Sequence, residues 1–141
     1  MSAHAVASRR VLVVFVGETQ IKWLRVLKKG YRHCFAVIQA HDGWAVYNPL
    51  SHYTEINIYP CVEEGVIAQF YEDLGYTVVR AQVHEPAKTL APLAPFTCVE
   101  AVKRAVGLHA RTVVTPWQLY KYLEKNHKIE KNSLTLTGKS G

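Results

Sequence analysis

The dipeptide Asp42-Gly43 lies between two segments rich in β-branched and aromatic residues. Asp-Gly in that setting is typical of a tight β-hairpin, whose two strands are antiparallel neighbours. The sequence therefore predicts one strand over His33–Ala40 and another over Trp44–Asn48. The second strand stops at Pro49, because proline has no N–H to donate to a strand ladder.

Further strands and a helix are predicted around this hairpin. β-Branched or alternating segments predict strands over Arg10–Val16, Thr54–Tyr59 and Tyr76–Val83. Residues 62–74 carry apolar side chains at helical spacing, and Gly75 follows them as a C-terminal cap. The apolar stripe of this helix comprises Val66, Ile67, Phe70, Tyr71 and Leu74.

Two capping patterns predict two more helices near the C-terminal end. Thr97 can cap a helix while Glu100 reaches back to it, and Gly107 ends that helix. The segment Thr115–Gln118 repeats the pattern, with proline at the favoured first position. The side chains expected on the buried faces of these helices are Val99, Val102 and Val106, then Leu119, Tyr120 and Leu123. The prolines that precede them, Pro86, Pro92 and Pro95, predict an extended connection.

The chain of 141 residues is long enough to bury one hydrophobic core, and it contains no internal repeat. We expect a single α+β domain over residues 9–125, with an antiparallel sheet packed on helices. Residues 1–8 are expected to be flexible. Residues 126–141 form a polar, basic tail that is expected to fray, since its residues carry little apolar surface to bury.

Composition and charge argue against several functional classes. The net charge of +6 comes without a glycine-rich phosphate loop, a zinc-finger spacing or an aromatic-basic motif, so we do not expect nucleic acid as a partner. Cys34, Cys61 and Cys98 form no C-x-x-C pair, which argues against a metal site, a disulfide framework or another cofactor and favours a reducing compartment. The apolar run Val11–Val16 is too short for a signal peptide or a membrane span.

Cys98 is the residue that most suggests chemistry. It lies in the first turn of the helix that Thr97 caps, where unpaired N–H groups and the helix dipole stabilise negative charge. These groups lower the pKa of a thiol, so Cys98 is a candidate nucleophile, and the same N–H groups can hold an oxyanion. The alternative is a free cysteine that packs as a small core residue.

A cysteine nucleophile requires a base, and His33 is the candidate because it opens a strand that can face the Cys98 helix. A third polar residue would orient the imidazole. With Asp42-Gly43 as the turn, Asn48 shares a face with His33 but lies four residues further along, roughly 13 Å away. His52 has the better register, directly opposite His33, but it lies beyond Pro49. We favour Asn48 and retain His52 as the rival.

Three segments resemble parts of the NlpC/P60 hydrolases, which are papain-like. The segments 30–37 (Gly-Tyr-Arg-His-Cys-Phe-Ala-Val) and 44–49 (Trp-Ala-Val-Tyr-Asn-Pro) resemble their histidine hairpin, and 95–100 (Pro-Phe-Thr-Cys-Val-Glu) resembles the start of their nucleophile helix. Here His33 precedes Cys98, an order similar to that of the circularly permuted branch of the superfamily. Residues 97–108 and 115–120 are also similar to small proteins of phages and prophages of proteobacteria.

The resemblance implies a permuted papain-like fold and a cysteine hydrolase, either a peptidase or an amidase, that acts on peptide or amide substrates, including those of cell walls. It assigns Cys98 as the nucleophile, His33 as the base and Asn48 as the third residue. No equivalent of the papain-type oxyanion glutamine precedes Cys98. The alternative is a structural component of a phage virion or tail that keeps this fold, with other virion proteins as its partners. We expect such a protein in the host cytoplasm or in the virion.

Overall fold

The computed structural model describes residues 9–17, 28–50, 53–84 and 97–137, with side chains up to residue 128. Over these residues the protein is an α+β domain with a five-stranded antiparallel sheet and three helices. The elements are β1 (Arg10–Val16), β2 (His33–Ala40), β3 (Gly43–Pro49), β4 (Thr54–Pro60), α1 (Glu64–Asp73), β5 (Thr77–Gln82), α2 (Cys98–Val106) and α3 (Pro116–Thr137). The predicted fold class is thus confirmed at the level of α+β with an antiparallel sheet.

The strands lie in the order β4-β3-β2-β1-β5, so β1 is paired on both sides and β4 is an edge strand. The predicted register of the hairpin is wrong. Ala40 pairs with Gly43, so the turn residues are His41 and Asp42, and Val37 pairs with Val46 rather than with Asn48. Gly43 is needed within β3 because a side chain there would collide with the carbonyl oxygen of Tyr59 on β4.

Each face of the sheet is covered by helices, and each face has its own buried cluster. One cluster joins the sheet to α2 and α3; its members include Val13, Phe15, Cys34, Val99, Val102, Val106 and Leu119. The other joins the opposite face to α1; its members include Leu12, Val14, Phe35, Val37, Trp44 and Tyr71. Because successive strand residues point to opposite faces, β1 contributes to both clusters and is fully buried from Val11 to Phe15.

The helix α1 buries a narrower face than the sequence predicts. Ile67 and Tyr71 are buried as expected, and Ala68 joins them. Val66, Phe70 and Leu74 are more than half exposed. These three residues lie about 100° around the helix from the buried positions, so a short helix on one side of a sheet does not cover both stripes.

At the start of α2, one of the two hydrogen bonds of the predicted capping box is formed. Thr97 Oγ1 accepts a hydrogen bond from the Glu100 N–H at 3.3 Å, but the Glu100 carboxylate binds Lys103 and Arg104 instead of reaching back. At α3 the box is complete, since Gln118 Oε1 accepts from the Thr115 N–H at 3.1 Å and Thr115 Oγ1 accepts from the Gln118 N–H at 3.2 Å.

The helix α3 continues to Thr137, through most of the stretch that the sequence predicts to be a polar tail. This stretch contains Lys, Glu and Leu, which favour a helix, and no proline or glycine interrupts it before Gly138. The predictions for residues 1–8, for the connection that contains Pro86, Pro92 and Pro95, and for His52 lie outside the described residues. In the described part of the chain, no helix is both long enough and apolar enough to span a membrane.

Candidate active site

The structure brings together the three residues that the sequence singles out, Cys98, His33 and Asn48. Cys98 is the first residue of α2, directly after the Thr97 cap, and α2 packs on β2 and β3. His33 is the first residue of β2, and Asn48 lies near the end of β3. The cluster therefore forms where a helix begins and two paired strands meet.

His33 and Asn48 are joined by a short hydrogen bond. The Nε2 atom of His33 lies 2.7 Å from Oδ1 of Asn48. The observed register of β2 and β3 explains this contact. Ala36 pairs with Tyr47, so the following residue of β3, Asn48, lies level with Phe35, only two residues from His33. The 13 Å separation expected from a turn at Asp42-Gly43 does not occur. Asn48 thus lies where its side chain can orient the His33 ring.

The Asn48 amide is also held from its other end. Its Nδ2 donates to Oε2 of Glu55 at 3.2 Å, and Glu55 is the residue that pairs with Asn48 across β3 and β4. The second oxygen of Glu55 accepts from Nδ2 of Asn57 at 2.9 Å. His33, Asn48, Glu55 and Asn57 therefore form a continuous chain of hydrogen bonds.

The surroundings of Cys98 stabilise its thiolate. A hydrogen bond from the Cys34 thiol, together with a hydrogen bond to His33, the charge of that ring and the backbone N–H of Cys34, outweighs burial and lowers the pKa of Cys98 to about 4. Its position in the first turn of a helix acts in the same direction. Cys98 is therefore a thiolate at neutral pH.

The pKa of His33 is shifted in the complementary direction. Burial alone would lower the pKa of the ring, but hydrogen bonds to Cys98 and Asn48 and the charge of the Cys98 thiolate raise it above 6.5. Since Nε2 is bound to Asn48, Nδ1 is the ring atom left for the thiolate. A lowered thiol pKa beside a raised imidazole pKa favours a thiolate–imidazolium pair, the activated state of a cysteine nucleophile beside its base.

Cys34 is a part of the site that sequence reasoning missed. Its side chain is buried between the sheet and α2, and burial, reinforced by the nearby Cys98 thiolate, raises the pKa of Cys34 well above its ordinary value. It therefore remains a thiol and donates to Cys98. The sequence offers one indication of this role: Cys34 directly follows His33 and is the first buried residue of β2. The third cysteine, Cys61, follows the edge strand β4 and is exposed.

The helix start also supplies donors for an oxyanion. The N–H groups of the first turn have no acceptor within the helix, and Thr97 satisfies only that of Glu100 by capping. The N–H groups of Cys98 and Val99 are the two next to the sulfur. Together with the thiolate and the imidazolium, they provide the parts that acyl transfer to sulfur requires.

Trp44 belongs to the core of the protein, whereas Trp117 is only half-buried. Trp44 is buried and its Nε1 donates to the Val62 carbonyl oxygen at 2.9 Å. Trp117 is half-buried in a cluster with Tyr31 and Tyr120, with ring centroids 4.7 and 5.4 Å away. Because Tyr31 is two residues from His33, this aromatic cluster is the better candidate for a wall of the site.

Among the described residues, no group of three or more His, Cys, Asp or Glu side chains is arranged to hold a metal ion. Comparison with protein-family models, with curated proteins and with solved structures finds no match to this chain.

Proposed function

We propose that this protein is a cysteine hydrolase, a peptidase or amidase of a phage or prophage, with a circularly permuted papain-like (NlpC/P60-type) arrangement. One observation carries the proposal: His33, on the strand against which the Cys98 helix packs, is hydrogen-bonded to Asn48 at 2.7 Å, and hydrogen bonds to Cys34 and to this ring lower the pKa of Cys98. A thiolate, an imidazolium and an orienting amide are the three parts of a cysteine-protease triad. The order of His33 before Cys98 agrees with the permuted branch.

In the first half-reaction the Cys98 thiolate attacks the carbonyl carbon of an amide, and the carbonyl oxygen takes up the negative charge. The N–H groups of Cys98 and Val99 stabilise this oxyanion. The tetrahedral adduct collapses when the carbon–nitrogen bond breaks, and His33 gives its proton to the departing amine. The products are a free amine and a thioester at Cys98, with His33 neutral.

The second half-reaction uses the neutral ring as a base. His33 takes a proton from water, and the hydroxide adds to the thioester carbon. Release of the acid restores the Cys98 thiolate and leaves the proton on His33. Asn48 keeps the ring in one orientation through both steps, since its Oδ1 can accept from Nε2 whether the ring is neutral or charged.

The proposal is tested with purified chain and two kinds of substrate, soluble peptidoglycan peptides and a peptide p-nitrophenyl ester. We expect acylation of Cys98, seen as a mass increase on its peptide, and release of amine from a cell-wall amide. Cys98→Ala should abolish both, whereas Cys61→Ala should change neither because Cys61 lies outside the site. The proposal fails if no substrate acylates Cys98, or if Cys98→Ala retains full hydrolysis.

A second candidate function is a structural component of a phage virion or tail. The observation that favours it is the exposed apolar stripe of α1, formed by Val66, Phe70 and Leu74, since contiguous exposed apolar groups mark protein–protein contacts. Quantifying the protein in purified particles tests this role. A fixed stoichiometry together with an inert Cys98 would favour it over the hydrolase.

A further inference from the structure

The orientation of the Asn48 amide is determined by Glu55. A carboxylate offers only acceptors, so the Asn48 atom that faces Oε2 at 3.2 Å must be the nitrogen, Nδ2. The other oxygen of Glu55 is engaged in the same way by Nδ2 of Asn57 at 2.9 Å. Oδ1 of Asn48 is therefore the atom that remains for His33, 2.7 Å from Nε2.

That orientation decides which nitrogen of His33 can hold a proton. An oxygen facing Nε2 requires an N–H there, which both the imidazolium and the neutral Nε2–H ring provide. If the amide rotated by 180°, its NH₂ group would face Nε2 and would favour a ring without a proton at that atom. A rotated Asn48 would therefore disfavour the imidazolium and, through it, the Cys98 thiolate.

We propose that Glu55 is a positioning residue, which fixes the Asn48 amide with Oδ1 toward His33 and thereby supports the thiolate–imidazolium pair. The proposal rests on the proposed hydrolase function, although the ion pair can be measured without any substrate. Glu55 suits the task because it pairs directly with Asn48 between β3 and β4, so the backbone ladder fixes the separation of the two side chains.

The groups around Glu55 are compatible with this role. Asn57 lies two residues along β4, on the same face, and supplies a donor. From α1, Tyr71 lies near Tyr59 and Glu55; burial first, and then these two neighbours, raise the pKa of Tyr71, so the phenol is uncharged. Both oxygens of the carboxylate thus face neutral amide donors, and the contact to Asn48 is not replaced by an ion pair.

The test compares variants that differ in acceptor and in charge. Glu55→Ala and Glu55→Val remove the acceptor, and the valine keeps a strand-forming side chain in case the alanine variant is unstable. Glu55→Gln keeps one acceptor oxygen for Asn48 while it removes the charge, because the exposed Asn57 can turn its own amide to match. Glu72→Ala is the matched control, since it removes one exposed carboxylate from α1.

The readout is the alkylation rate of the Cys98 peptide by iodoacetamide between pH 3.5 and 9, followed by mass spectrometry under reducing pre-treatment. In Glu55→Ala and Glu55→Val we expect the acid inflection of the Cys98 alkylation rate to move up by about one pH unit. At a pH below the inflection, this shift corresponds to about a tenfold loss of thiolate. Glu55→Gln and Glu72→Ala should follow the wild-type profile. A purely structural role would change the free energy of unfolding without moving this inflection.

The outcomes separate this proposal from the proposed function. If the wild-type profile shows the low inflection and the acceptor-free variants share it, Glu55 does not position Asn48, while the hydrolase proposal stands. If Glu55→Gln shifts as far as Glu55→Val, charge rather than the acceptor is responsible, and the proposal is wrong. If wild-type Cys98 has the inflection of an ordinary thiol, both proposals fail together.

Discussion

His33 and Asn48 are held 2.7 Å apart by the pairing of β2 with β3. The Asn48 amide is engaged at both ends, by His33 and by Glu55, so it cannot rotate without losing two hydrogen bonds. In this arrangement the position of the imidazole is set by neighbouring strands of one sheet rather than by a loop. Changes to Asn48 are therefore expected to affect chemistry before they affect folding.

For a substrate that the protein is found to hydrolyse, Asn48→Ala should lower kcat by about tenfold to a thousandfold, because under the proposed mechanism the residue orients the ring without forming or breaking bonds. His33→Ala should be nearly as severe as Cys98→Ala, since no base remains. His52→Ala is expected to change kcat little. Steady-state kinetics on the four variants, each checked for folding by circular dichroism, measure this order. A larger loss for His52→Ala than for Asn48→Ala would contradict the assignment of Asn48.

Cys34 offers a second test, because its thiol is the largest single contribution to the lowered pKa of Cys98. Hydrogen bonds to charged groups contribute about 1.5–3 kcal/mol, so Cys34→Ala should raise the pKa of Cys98 by about one to two pH units. Cys34→Ser keeps a donor and should stay closer to the wild type. The thiolate absorbance at 240 nm, followed against pH, distinguishes them. An unchanged inflection in Cys34→Ala would show that Cys34 only fills space.

The ion pair also makes a prediction about stability and pH. Between pH 4 and 6.5 the thiol of Cys98 holds a proton in the unfolded chain that it has lost in the folded one, while His33 is protonated in both states. Stability must therefore rise with pH across this window, by at most about 3 kcal/mol. Above pH 6.5 the unfolded imidazole loses its proton and the folded one keeps it, so the two effects offset each other and the rise stops.

The reference for this measurement is the double variant Cys98→Ala, His33→Ala, in which neither group titrates. Urea denaturation at pH 4, 5.5, 6.5 and 7.5 gives the difference in free energy of unfolding between the two proteins. We expect the difference to increase up to pH 6.5 and then to level off. A difference that does not vary with pH would show that the pair has no perturbed pKa values.

Lys103 is predicted to be the most sensitive charged residue for folding. Its Nζ is buried and donates to the carbonyl oxygens of Ala110 and Val113 and to Oε2 of Glu100, each at 2.9 Å. Lys103→Met would leave these acceptors buried without a donor, at a cost of about 3–5 kcal/mol in the free energy of unfolding. Arg104→Gln, at the exposed side of the same carboxylate, should cost about 1 kcal/mol or less. Equal losses in the free energy of unfolding for Lys103→Met and Arg104→Gln, measured by urea denaturation, would contradict this prediction.

Much of the fold could be predicted because local signals and packing agree. The bounds of β1, β2 and α2 follow from β-branched runs and from a threonine cap with a glycine stop. The hairpin register could not be predicted in the same way, because Asp42-Gly43 satisfies a turn rule while Gly43 is in fact required by its close approach to β4. Tertiary packing thus overrode a local turn preference.

In the candidate site, too, local sequence signals predicted some residues, whereas others depend on tertiary packing. The types and order of Cys98 and His33 were readable because a helix start and a strand start have sequence signals. The contributions of Cys34 and Glu55 could not be predicted, because each depends on which residue lies opposite in a neighbouring element. A shift of the strand register by one residue would change that partner. Lys103 was also missed, because a lysine in a polar segment is ordinarily exposed.

The number of thiolates per chain at pH 6 tests directly whether Cys98 is activated by His33. An unactivated cysteine is almost wholly protonated there, because free cysteine has a pKa of about 8.5. The absorbance at 240 nm of the wild-type chain, minus that of Cys98→Ala at equal concentration under reducing conditions, isolates the Cys98 sulfur. The thiolate–imidazolium pair predicts a difference of one thiolate per chain that disappears with an inflection near pH 4. A difference of zero at pH 6 that emerges only above pH 8 would contradict the account.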